Sequence, residues 1–186
     1  MAQMAAPGSP ARHRSPLTVE RLRLAFAALD ARLDHPLTLV VGGGTAMLLA
    51  HGIAVRTTGL DAYPTSGRLD GLSRHVHAVA QQLGLAPDWL DPHFETFAHV
   101  LPQDYASRLQ PVFQGRWLQA AALGAEDLLV MKCFAGREKD IGHARALLGK
   151  VRDPGVVDRR IEELMDRGVA GALDAADFLD DLRAGQ

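Results

Sequence analysis

The sequence is short of the features that most often carry function. It has one cysteine, Cys133, so no disulfide can close within the chain, and nothing points to an oxidising compartment. Cys133 falls in an apolar stretch and reads as a small buried hydrophobe rather than a nucleophile. Aromatic residues make up only 5% of the chain, and Trp89 and Trp117 read as core anchors rather than platforms for stacked bases. No charge sign dominates: 20 Lys plus Arg face 22 Asp plus Glu, for a formal net charge of -2. A global positive field that would gather nucleic acid is therefore excluded, and only a local basic patch is left for that purpose. No apolar run approaches the roughly 18 to 20 residues that span a bilayer, and residues 1–16 lack the continuous apolar segment of a secretory signal. A cytoplasmic protein with no membrane partner is expected. The histidines show no zinc spacing, since His75 and His77 are two apart on an expected helix and His93 and His99 are isolated. No serine sits in a Gly-x-Ser-x-Gly turn.

What is present fits one domain. The 186 residues, 47% of them apolar, can bury a single substantial core. Residues 1–16, with Pro7, Gly8, Ser9 and Pro10 ahead of Arg12, His13 and Arg14, read as a disordered tail. Residues 17–124 are expected to form the core and 125–186 a helical part of the same domain. Thr18 is placed to cap a helix whose Leu22, Phe26, Leu29 and Leu33 form one face. His35 and Pro36 precede a buried strand over 37–41, then Gly42, Gly43 and Gly44 lead into a helix over 45–51. Residues 56–63 read as a second strand carrying Asp61, with 64–67 as a turn. Leu72, Val76, Val79 and Leu83 make a helical stripe stopping at Gly84. Prolines mark 85–110 as loop with a short strand near 97–101, a further strand is read over 116–123, and helices follow from Ala125, Asp140, Pro154 and Asp174.

The chemistry concentrates in two stretches. Val40, Val41, Gly42, Gly43, Gly44, Thr45, Ala46 and Met47, followed by Arg56, Thr57, Thr58, Gly59, Leu60 and Asp61, resemble the signature of the nucleotidyltransferase-fold superfamily. There a strand, a glycine turn and a helix precede a second strand bearing acidic residues at i and i+2. Alternation puts such a pair on one face, where both can share a divalent metal. Downstream, Ala125, Glu126, Asp127, Leu128, Leu129, Val130, Met131 and Lys132 run on to Ala135, Gly136, Arg137, Glu138, Lys139 and Asp140. This stretch resembles the AbiEii-like toxin group and related uncharacterised (DUF6036-type) nucleotidyltransferases, as does Pro87, Asp88, Trp89, Leu90, Asp91 beside their Pro-x-Asp-Trp-Leu-Asn element.

The resemblance implies an α/β (α+β) fold, a small mixed sheet flanked by helices with a C-terminal helical part. It implies transfer of a nucleotidyl group from a nucleoside triphosphate, with Mg2+, to an RNA (tRNA among them) or protein acceptor, as a toxin with an antitoxin partner. Asp61 would bind the metal, and Asp61, Lys132 and Asp140 would be catalytic. Gly42, Gly43, Gly44, Thr45, Arg56, Thr58, Arg137 and Lys139 would bind nucleotide. One position departs from the pattern: Gly59 stands where the first acidic residue belongs. Asp70, Asp88, Asp91 and Asp140 are the candidates to replace it, and a catalytically silent protein that binds nucleotide or a protein partner is the competing expectation. Each residue also has a plainer reading. The glycines can be only a tight turn, Asp61 a solubilising charge on an edge strand, Lys132 a snorkelling surface lysine, Asp140 a helix cap and Arg56 a solvated loop charge.

Overall fold

The computed structural model describes residues 15–67, 71–91 and 99–185. Most of the N-terminal segment read as a tail, Asp70, His93, and residues 97 and 98 of the strand expected near 97–101 lie outside the described residues.

Helix α1 (Val19–Asp30) opens the fold, followed by β1 (Leu37–Val41), α2 (Gly43–Ala50), β2 (Leu60–Gly67), α3 (Leu72–Leu83) and the two-residue β3 (Leu90–Asp91). Then come β4 (Gln110–Gln114), β5 (Leu118–Ala122), α4 (Ala125–Ala135), α5 (Ile141–Leu148), α6 (Pro154–Asp166) and α7 (Ala172–Ala184). The strands form one mixed sheet in the order β3-β2-β1-β5-β4. β1 runs antiparallel to β2 and parallel to β5, while β3 is parallel to β2 and β4 antiparallel to β5. A mixed five-stranded sheet flanked by helices, with a helical C-terminal part, is the architecture expected from the sequence.

Local chemistry sets most boundaries. The Thr18 hydroxyl accepts from the Arg21 amide at 3.2 Å and starts α1, whose Leu22, Ala25, Phe26 and Leu29 are buried. Asp153 accepts from the Gly155 amide, with Pro154 in the first turn of α6. Three expectations need correction. β2 continues through Pro64–Gly67 rather than turning there, because the register slips between Thr38 and Leu39 opposite it, and a bulge is where a strand tolerates proline. Residues 110–114 form the edge strand β4 despite Pro111, again with a register shift at the proline. In the stretch 85–110 the strand lies at Leu90–Asp91, and residues 105–108 make a short 3-10 turn.

The core is continuous from sheet to C-terminal helices. Leu39, Val41, Met47, Leu118 and Leu123 are fully buried around β1, α2 and β5. α4 is buried along nearly its whole length and packs against α5, α6 and α7 through Leu128, Leu129, Leu147, Leu164 and Leu179. Burial on this scale contributes about 1.5–3 kcal/mol for each large apolar side chain, so the helical part and the sheet are joined by packing rather than by a tether.

Candidate active site

The site is built where β1 ends. Gly42 is extended at the start of α2 and its amide donates to the Asp61 carbonyl at 2.9 Å, stitching the glycine turn to β2. Gly43 adopts φ +56, in the left-handed region, and a Cβ built on it would stand 2.0 Å from Asp61 Oδ2. Glycine is therefore required twice over, by the backbone and by the carboxylate leaning across it. Thr45 is fully buried, and its hydroxyl donates to the Gly59 carbonyl at 2.9 Å. That bond, with a second from Thr57 Oγ1 to the same oxygen at 2.7 Å, clips the loop before β2 onto α2. The Thr45 hydroxyl is thus committed to holding the turn rather than offered to a ligand.

Asp61 is the second residue of β2, and β2 lies inside the sheet between β1 and β3, so the edge-strand reading is wrong. Its register partner on the parallel strand β3 is Asp91. Side chains at paired positions share a face, on strands about 4.8 Å apart, so two carboxylates stand together. Burial, and then the charge of Asp91, raise the Asp61 pKa above its ordinary value, against opposite pulls from Lys132 and Arg137. Those four influences locate the centre. Two acids on adjacent strands face two cations from the end of α4 and the turn after it.

β3 exists because Trp89 anchors it. The indole is fully buried and donates to the Val76 carbonyl at 3.0 Å, and the Leu60 amide donates to the Trp89 carbonyl at 2.6 Å. Asp91 was named in the sequence only as one substitute among several. The stretch Pro87, Asp88, Trp89, Leu90 that it closes is the signal that marks it, since the tryptophan pins the strand beside Leu60.

Lys132 is buried and its ammonium donates to Asp140 Oδ1 at 2.6 Å, which replaces the snorkelling reading. Arg137 Nε donates to the other Asp140 oxygen, and His143 Nδ1 lies 3.7 Å from Oδ1. Asp140 makes no side-chain capping bond to α5, although it occupies the cap position. Its burial raises the pKa, but the hydrogen bonds from Lys132 and Arg137 outweigh that and hold it below the ordinary value. Asp140 is thus a fixed anion that orients two cations beside Asp61. Arg56 and Lys139 are exposed, and Thr58 is half-buried in the loop before β2.

Gly59 has ordinary room around it, since a Cβ there would meet only the Trp89 carbonyl oxygen, at 3.8 Å. Cys133 is buried and its thiol is pushed up to about 12, which makes it unreactive as a nucleophile. Among the described residues, no group of three or more His, Cys, Asp or Glu is arranged to hold a metal, and no helix is long and apolar enough to cross a membrane.

Neither the curated proteins nor the solved structures contain a match to the chain. Over residues 20–170 it matches the family described as "Nucleotidyltransferase of unknown function (DUF6036)". That span takes in the whole sheet, the glycine turn, the Asp61 and Asp91 pair and the Lys132, Arg137 and Asp140 cluster, and the chain belongs to this nucleotidyltransferase family.

Proposed function

We propose that this chain is a nucleotidyltransferase that uses Mg2+ and a nucleoside triphosphate to modify an RNA or protein acceptor, in the role of a toxin with an antitoxin partner. The observation that carries the reading is the pairing of Asp91 with Asp61, which supplies a second carboxylate where Gly59 supplies none. Mg2+ takes oxygen ligands and needs only one or two carboxylates when water and phosphates complete its shell. Asp61 and Asp91 fit that donor set, and their mutual repulsion is what a divalent cation relieves. Bound there, the ion would neutralise charge on the phosphoryl oxygens. The chain's own residues do the rest. Gly43 lets the Asp61 carboxylate lie across the turn, the α2 N-terminus presents amides next to it, and Asp140 holds Lys132 and Arg137 where phosphate charge would collect.

Gly59 favours a second reading, a silent member that binds nucleotide without transferring it. One experiment separates the two. Labelled ATP, GTP, CTP and UTP are incubated with the chain and with bulk RNA and protein from cells. Transfer that falls at least about a hundredfold in both Asp61→Asn and Asp91→Asn supports the pair as the working site. Transfer that survives Asp91→Asn unchanged removes Asp91 from it. Nucleotide binding without transfer, even in Gly59→Asp, which the space at position 59 admits, establishes the silent reading. The toxin role is tested by induced expression, which should arrest growth for the native chain and not for Asp61→Asn.

A further inference from the structure

Three nitrogen-bearing side chains converge on the Asp140 carboxylate, and only two of them bond it. Lys132 Nζ donates to Oδ1 at 2.6 Å and Arg137 Nε donates to Oδ2. His143 Nδ1 stands 3.7 Å from that same Oδ1, too far for a hydrogen bond. This nitrogen is buried and has no hydrogen-bond partner among the described residues, although the residue as a whole is only half-buried. Folded proteins rarely keep a buried ring nitrogen unpaired, and here a suitable acceptor lies within about an ångström of reach.

Lys132 is the member of the cluster that can give way. His143 rides on α5, which packs on α4 and α7 and is anchored by the fully buried Ala144 and Leu147. The Lys132 ammonium sits on a flexible stem with rotatable donors. Its charge reaches Asp61 as well as Asp140. A triphosphate beside Asp61 would add several negative charges and draw the ammonium off Oδ1. That oxygen would then need a second donor, because a buried carboxylate oxygen left open is costly. His143 Nδ1 is the group at hand. The charges run the same way: burial and then Lys132 hold the His143 pKa below its ordinary 6.5, against the pull of Asp140. The imidazole is therefore neutral beside the ammonium at neutral pH, and its attraction to Asp140 grows once that ammonium turns to phosphate.

We propose that His143 is a positioning residue that takes the place of Lys132 on Asp140 Oδ1 when nucleotide phosphate engages the ammonium, so that Asp140 keeps Arg137 oriented in the bound state. The inference rests on the nucleotidyltransferase reading and adds a residue to that site. Nitrogen–proton correlation NMR of the imidazole, on the full chain, reads the contact directly. The Nδ1 proton should move downfield when Mg2+ and the tightest-binding of ATP, GTP, CTP and UTP saturate the protein. It should move the same way without nucleotide in Lys132→Met, where no ammonium competes for Oδ1. In calorimetry, His143→Leu should weaken nucleotide binding about tenfold, the worth of a hydrogen bond to a charged group. His143→Asn, whose amide nitrogen falls where Nδ1 stood, should stay within about threefold of the native chain, a rescue that loss of packing alone would not give. An Nδ1 proton that ignores bound nucleotide, or a His143→Leu variant that binds nucleotide as the native chain does, overturns the proposal. A proton that moves in Lys132→Met, in a chain that binds none of the four nucleotides, would instead leave the spare donor standing and sink the transferase reading.

Discussion

Lys132 and Asp140 look unremarkable in the sequence, a lysine after a methionine and an aspartate near a helix start. In the fold they are a buried ion pair at 2.6 Å, with Arg137 as a third member. Removing one partner strands the other. Asp140→Ala should cost about 2–4 kcal/mol in urea unfolding, because the Lys132 ammonium stays buried without its anion, while Lys132→Met combined with Asp140→Leu should cost less than Asp140→Ala alone. A double variant as unstable as Asp140→Ala would show that packing, not charge, dominates there. Asp61 gives a prediction in pH. Its pKa is raised above the ordinary 3.8, so the folded protein takes up a proton there before the unfolded chain does. Stability of the metal-free protein from this group therefore rises as pH falls through the window between 3.8 and the raised value, and drops again as pH climbs. Affinity for Mg2+ and nucleotide moves the opposite way and weakens over that same window, since a cation needs the ionised carboxylate. Titration calorimetry across this range checks the sign, and affinity that holds constant down to the ordinary value would contradict the raised pKa.

At the scale of elements, the turn between β1 and α2 is the part that tolerates least change. Gly43→Ala combines a left-handed backbone with a Cβ placed on the Asp61 carboxylate, and should destabilise by about 1–3 kcal/mol while displacing Asp61. Gly52→Ala, also at positive φ but with nothing within 4 Å, separates the two effects: it should cost stability and leave nucleotide binding intact. This turn was legible beforehand, because three glycines between an apolar run and a helix leave few alternatives. So were α1 and α3, where a cap and a stripe agree, and the start of α6, marked by Asp153 and Pro154. β3 was not legible, since two residues carry no periodicity and its existence depends on a tryptophan bonded to α3, thirteen residues back in the chain. β4 and the second half of β2 were hidden by prolines that bulges accommodate, a tertiary fact that propensity does not contain. Of the proposed site, Asp61, Lys132 and Asp140 could be named, but not the ion pair between the last two, nor the sheet pairing of Asp91 with Asp61. Partners across a sheet or between a helix and a turn are set by packing, which one sequence does not print.

Across the whole molecule, the centre draws on both halves of the chain. The carboxylates come from the sheet and the cations from α4 and the turn behind it, and α4 is held by α5, α6 and α7. The helical part is thus one wall of the site rather than an appendage. A near-neutral chain with a net charge of -2 binds a polyanionic substrate only if its few positive groups are placed locally, as Lys132 and Arg137 are here. We infer that these two halves make one metal-dependent nucleotide site. It is tested most directly by calorimetry of ATP, GTP, CTP and UTP binding with and without Mg2+, on the native chain and on Asp61→Ala, Asp91→Ala and Lys132→Ala. Binding of at least one nucleotide that requires Mg2+ and is weakened tenfold or more by each substitution is the predicted result. Binding of none of the four, or binding indifferent to Mg2+ and to all three side chains, would contradict it.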